Sequence, residues 1–251
     1  MLVVCPALVA QTVPAARGSS SGAFSRLAIG GGISTMGVDL QAATNINQHL
    51  NVRGTGSFFN YTLSNIDTSG FVLGGQLNFA TAGASLDYYP FPSHGFRLSP
   101  GMLFYNNNQI TAGAIGANGS SITLNSDKYY SETGDPIAMN ATLGLNTRKQ
   151  AFTLTTGWGN MIPHRGGHWS VPFELGAAFT GAPSLNVLLS GVGCTNQADA
   201  AEGGESCVNM ATDMTAQNNL NSQLSTWKKD LNALQVYPIF SIGVAYAFRI
   251  R

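Results

Sequence analysis

Ser93 and His94 are adjacent, and a hydroxyl beside an imidazole could act as nucleophile and base in acyl transfer. His164 and His168 bracket Arg165-Gly-Gly, a spacing that could offer two imidazoles to a metal across a turn. A metal would need further ligands, for which the sequence suggests no placement. Both constellations fall in a short connection, where they read as polar turn residues. Gly30-Gly-Gly32 is not followed by a helical pattern, so it reads as small strand residues and not as a phosphate loop. No catalytic residue, metal or cofactor is therefore assigned. Cys194 and Cys207 bracket a polar stretch rich in Gly, Ala and Glu. After a secretion-like leader they read as one disulfide clasping an exposed loop, with a two-cysteine metal site as the alternative.

The remaining side chains able to do chemistry are charged, and only 10% of the 251 residues are. Net charge is zero, so no electrostatic footprint points to nucleic acid or to anionic headgroups. Asp39, Arg53, Asp87, Arg97, Glu174 and Arg249, three acids and three bases, share one property: each occupies the small-residue face of an alternating segment.

Those segments are strands by their period of two. In the C-terminal stretch Val236, Pro238, Phe240, Ile242, Val244, Tyr246, Phe248 and Ile250 fall on one face, with mostly small or polar residues on the other. Val38 to Ile46 and Phe152 to Trp158 repeat the phase. Further strands run from about Asn51 to Leu63, Phe71 to Tyr89, Phe96 to Tyr105 and Trp169 to Thr180, with a first one near Phe24. That makes about eight spanning strands; the segment Ile137 to Leu145 could add a pair and make about ten. The strand from Phe71 changes phase around Ala80 to Gly83, where small residues would permit a bulge.

Short connections at Asn47-Gln48, Pro90 to Gly95 and Ile162 to Gly167 alternate with long polar ones, Asn106 to Pro136 and Pro183 to Ala233. Within the second, Met210, Met214, Gln217, Leu220, Leu224, Trp227 and Leu231 recur at helical spacing, which predicts one helix before the last strand. Its reading is packing on a barrel rim or mouth, or a lid or receptor-contact element. Residues 1–23 read as a signal-peptide-like segment and linker, and residues 24–251 as one domain. Cys5 within that segment reads as part of a signal, with a lipidation site as the alternative.

No apolar run approaches the ~18 residues of a membrane helix, so a membrane-spanning chain must be a barrel. Charge placement separates a lipid-facing barrel from a water-soluble one. Acids and bases opposite the bulky face suit an enclosed polar interior, because charge facing lipid costs about 2–4 kcal/mol at the midplane. The predicted fold is all-β, a closed antiparallel transmembrane β-barrel with long extracellular loops. A tight turn centred on Pro92 would place Asp87 opposite Arg97 as a cross-strand ion pair. Tyr88, Tyr89, Phe91, Trp158, Trp169, Tyr246 and Phe248 would form an aromatic girdle at the headgroup level.

The segments Leu86-Asp-Tyr-Tyr-Pro-Phe-Pro-Ser-His-Gly-Phe-Arg-Leu-Ser-Pro-Gly101 and Tyr237-Pro-Ile-Phe-Ser-Ile-Gly-Val-Ala-Tyr-Ala-Phe248 resemble a broad family of small bacterial outer-membrane β-barrel proteins. The resemblance covers most of the chain beyond Met36 and implies residence in the bacterial outer membrane, in contact with its lipid. It also implies recognition of the final strand by the barrel-assembly machinery, with Phe248 as the aromatic signal and Arg249-Ile-Arg251 following it. Ser93-His94 is similar to the adjacent pair of barrel lipid-A deacylases, which keeps a lipid-modifying enzyme among the alternatives. An eight-stranded barrel fills its interior with side chains. The expectation is therefore a structural or surface-interaction protein with a plugged polar lumen and an unspecified extracellular ligand, a porin-like channel being the alternative.

Overall fold

Alternating sequence becomes extended chain throughout the computed structural model, which describes residues 22–68, 70–145, 147–163 and 167–250. Strands β1 (Arg26–Ser34), β2 (Gly37–Asn45), β3 (Leu50–Thr68), β4 (Phe71–Tyr88) and β5 (Phe96–Asn106) form a meander. Then come β6 (Gln109–Gly116), β7 (Ser121–Leu124), β8 (Asp127–Ser131), β9 (Ala138–Gly144) and β10 (Ala151–Trp158). They are followed by β11 (Trp169–Ser170), β12 (Phe173–Phe179), β13 (Ser184–Ser190), β14 (Val192–Cys194) and helix α1 (Gln197–Glu202). The chain ends with β15 (Cys207–Asn209), helix α2 (Met214–Leu231) and β16 (Tyr237–Arg249).

Antiparallel pairing runs β1, β2, β3, β4, β5, β10, β12, β16 and returns from β16 to β1, so eight strands form a ring. Its last seam is tight. Gly32 and Gly243 face each other across β1 and β16, and a Cβ on Gly32 would come within 2.5 Å of the Ile242 carbonyl oxygen. Glycines therefore let the first and last strands of the ring meet. The connections 46–49 and 89–95 and the described residues of the third, 159–163 and 167–168, lie at one end, called the lower end, with Gly22 and Ile250. The insertions β6–β9 and β13–β15 with both helices rise from the other.

The segment Ile137 to Leu145 does form a strand, β9, but it adds none to the ring. It joins β6 and β13 in an extension that grows from the upper half of β4, in the order β3, β4, β6, β9, β13. A second sheet, β7, β8, β14, β15, lies over this extension with α2. Leu124, Tyr129, Ile137, Val187, Leu189, Met210, Ala216, Leu220 and Leu224 form its buried core. The two long polar segments are thus a folded cap, not open loops. Helix α2 packs chiefly on β7 and β13 within that cap. It begins after Asp213, whose carboxylate accepts from Ala216 N at 2.8 Å. Of the expected apolar stripe Met210, ahead of the helix, and Leu220 and Leu224 are buried, joined by Ala216, while Met214 and Trp227 are exposed.

Around the ring the alternation sorts cleanly. Ile29, Leu40, Val52, Leu86, Leu98, Leu154, Leu175, Phe240, Ile242 and Val244 project outward and are exposed. Ala28, Asp39, Arg53, Asp87, Arg97, Thr155, Glu174, Ser241 and Ala245 project inward and are buried.

In the extension this order inverts. Phe58 still faces outward, but on the next rung Phe59 and Phe79 sit opposite each other on the inner side, followed there by Tyr61 with Leu77 and by Leu73. Asn60, Thr62, Asn78 and Gln76 take the outer side. The β3–β4 register is unbroken from Leu50 to Leu63, so no bulge between those strands causes the change of phase. The expected irregularity near Gly83 exists only toward β5, where pairing shifts between Ala82 and Gly83.

Candidate functional site

The inner side of the ring buries Asp39, Arg53, Asp87, Arg97 and Glu174, five of the six charged residues that the strand phases had assigned to it. Arg53 on β3 donates from Nε and Nη2 to the Asp87 carboxylate of β4, at 3.1 Å to each oxygen. Its Nη1 donates to Glu174 Oε2 of β12 at 2.6 Å. Arg97 on β5 donates from Nη2 to the same oxygen at 2.7 Å and from Nη1 to the Gly159 carbonyl at 2.6 Å. Thr155 on β10 donates to the second oxygen of Glu174, and Ser85 reaches Asp87 Oδ1 at 3.4 Å. Four strands are thereby tied across the interior by two acids and two bases, and all four side chains are buried.

Asp87 and Arg97 are not the cross-strand partners expected. Tyr88 stands opposite Leu98, so the β4–β5 register is displaced by two residues from the tight turn expected around Pro92. A two-residue displacement keeps both side chains on the inner face and changes their partners, Asp87 pairing with Arg53 and Arg97 with Glu174. Arg249 is also apart from the network. It pairs in register with Arg26 at the lower end of the ring and is exposed. Asp39 lies near the upper end, buried, and accepts hydroxyls from Ser34 at 2.8 Å and Ser241 at 3.1 Å. Sequence reasoning passed over Thr155, although its inward phase on β10 was readable.

Apolar residues close the interior above and below these polar groups. Met36, Leu103, Ala151 and Ala178 cluster at the upper end with Tyr237 and Ile239 packed against them. Met161 and Ile162 enter from the 159–163 segment at the lower end and pack with Ala28, Ala43, Ala245 and Ala247. That segment is fastened by Asn51, which donates to Asn160 Oδ1 at 3.0 Å, and by Arg26, which donates to the Pro163 carbonyl. Beneath the upper cluster lies a partly open cavity of about 70 Å3 bordered by Asp39, Gln41, Arg53, Thr55, Thr155 and Ser241 among others.

Tyr88, Phe91, Trp158, Trp169 and Tyr246 project outward near the lower end, and Trp169 meets Tyr246 edge-on at 5.0 Å between ring centres. Phe248 is half-buried beside them, opposite Leu27. Tyr89 departs from this belt: it is fully buried, because the residue after outward Tyr88 must point inward. Ser93 Oγ lies 3.0 Å from His94 Nδ1 in an exposed lower turn. His168 bonds to the Ala247 carbonyl at 2.7 Å and stacks on Tyr246, while His164 lies outside the described residues, as does Cys5 with residues 1–21. Among the described residues no group of three His, Cys, Asp or Glu side chains is placed to hold a metal. Cys194 and Cys207 face each other across β14 and β15 and are joined by a disulfide in the cap.

No protein-family model matches the chain, and no curated protein matches it by sequence. Among solved structures it is similar to CarO of Acinetobacter baumannii, with a TM-score of 0.52 and 16% identity over 89% of this chain and 97% of that one. It is similar also to CarO2 of the same organism, with a TM-score of 0.56 and 13% identity over 89% and 98% of the two chains. At these identities the likeness is one of fold.

Proposed function

We propose that the chain is a bacterial outer-membrane β-barrel whose blocked, ionic lumen anchors a disulfide-clasped cap on the cell surface. The observation that carries this reading is the inversion between Phe58 and Phe59. Below that rung the outer side of the ring is bulky and apolar and the inner side holds the charge; just above it β3 and β4 turn Asn60, Thr62, Asn78 and Gln76 outward and Phe59, Tyr61, Leu77 and Phe79 to the inner side, although Val72, Ile115 and Leu188 further along are exposed on the outer side. One solvent cannot favour both arrangements. Hydrocarbon around the ring and water around the cap favour each in its place. Strands β1 and β2, each 9 residues, have the length a tilted strand needs to cross a bilayer.

The lower end then faces the periplasm, and Tyr88, Phe91, Trp158, Trp169 and Tyr246 lie at the inner headgroup level. Partners under this reading are outer-membrane lipid, the barrel-assembly machinery that receives β16, and an extracellular ligand of the cap. The lumen's role is structural, since apolar clusters pack at both ends and the space between them is only about 70 Å3. A catalytic role is not assigned to Ser93-His94, which this orientation puts on the periplasmic side.

The test uses detergent-extracted protein from outer membranes. Heat-modifiable gel mobility is expected, together with an absence of large stable single-channel steps in planar bilayers. Large steps would replace the plugged barrel with the porin-like alternative, and full solubility without detergent would remove the barrel altogether.

A further inference from the structure

The interior holds one acid more than its described bases can match. Arg53 and Arg97 are committed to Asp87 and Glu174, whereas Asp39, 2% exposed, has no cationic side chain within ion-pair distance among the described residues. Arg249, the third base expected from the sequence, stands at the opposite end of the ring. Each carboxylate oxygen of Asp39 accepts one hydroxyl, Oδ1 from Ser34 and Oδ2 from Ser241. An ionised carboxylate taken out of water without a countercharge is costly.

The cavity of about 70 Å3 adjoins this carboxylate. Ser34, Thr55, Ser57 and Ser241 supply hydroxyl oxygens to its lining, while the Gln41 amide oxygen there accepts from Arg53 Nη1 at 3.5 Å, and Arg53 and Glu174, which also line it, are paired with each other. The space exceeds what one water requires. Hard oxygen donors carrying one formal negative charge suit a singly charged ion; a calcium site gathers several carboxylates. We propose that the cavity holds a small monovalent cation, sodium or potassium, on the Asp39 carboxylate, which balances the charge of the closed interior. The proposal rests on the barrel reading.

Full-length protein folded in neutral detergent is unfolded by heat in sodium, potassium or N-methylglucamine chloride at equal ionic strength. Sodium or potassium should raise the midpoint by several degrees and saturably over N-methylglucamine. Asp39→Asn, which removes the charge and keeps the side chain's size, should erase that difference. Equal midpoints for the unchanged protein in all three salts would overturn the proposal. So would an infrared carbonyl band of a protonated carboxyl that disappears in Asp39→Asn. Should that variant not fold, the sodium-23 NMR linewidth of the unchanged protein decides: broadening that excess potassium reverses supports the site, and none refutes it. Absence of heat-modifiable mobility in every salt would instead remove the barrel reading, and the cation site with it.

Discussion

The ring and the cap are built on the same two strands and have opposite insides. Lower β3 and β4 enclose Arg53 and Asp87 and expose Val52 and Leu86; upper β3 and β4 put Phe59, Tyr61, Leu77 and Phe79 on the inner side, Phe59 and Tyr61 still exposed there, and Thr62 and Gln76 on the outer. The backbone hydrogen bonding continues across the change, so secondary structure does not distinguish the regions. What differs is the cohesion each needs. Under the proposed reading lipid supplies no hydrophobic gain from hiding apolar side chains, which leaves the ring to backbone pairing and an internal ion network. The cap has a conventional apolar core with one disulfide, the cohesion that water favours.

The comparison is broken most severely by removing the base that the ring's two acids share. Arg53→Met leaves Asp87 buried without its cation and Glu174 with half of its own, and should cost about 3–5 kcal/mol in urea unfolding from lipid vesicles. Adding Asp87→Asn should recover part of that loss. In double-mutant cycles the Arg53–Asp87 coupling should exceed the Asp87–Arg97 coupling; the reverse order would restore the pairing first expected from the sequence.

Moving one charge to either side of the boundary sharpens the contrast. Leu154→Arg, outward at mid-ring, should cost about 2–4 kcal/mol. Gln76→Arg, outward above the Phe58 rung, should stay within about 0.5 kcal/mol. Equal penalties in the same vesicle assay would put the membrane boundary elsewhere.

That boundary was visible in the sequence as a change of phase in the strand beginning at Phe71, but its cause was not. A bulge and a change of solvent both move the apolar positions by one, and only the uninterrupted β3–β4 register separates them. The ring strands were legible because each sustains its alternation over many residues, and the inward acids and bases told the two faces apart. The partners of those acids were not legible, because facing depends on residue parity while pairing depends on turn length. Arg249 has the right parity but lies past the enclosed span. The cap was hidden for a different reason: β7, β8, β14 and β15 span 3 to 5 residues each. Its core takes single side chains such as Leu124, Tyr129 and Leu220 from remote segments, so no local period announces it.

The cap can be weakened while the ring is kept. Cys194 and Cys207 are 13 residues apart, and removing both sulfurs by serine substitution should cost about 3 kcal/mol for a loop of that length. Faster protease cleavage confined to residues 192–213 is expected, with heat-modifiable mobility unchanged. Loss of that mobility would mean that cap and ring fold as one unit.

The smallest effect should be the most local. Asp213 ends the loop after β15 by accepting Ala216 N, one of the donors that the first turn of α2 cannot satisfy within the helix. Asp213→Ala should cost about 1 kcal/mol. The loss should appear as faster amide exchange in the first turn of α2, which is anchored further along by Leu220 and Leu224. Exchange that rises equally across β13 and the ring strands would show that the helix start supports the whole cap and the barrel beneath it, and would erase the energetic division between the two regions.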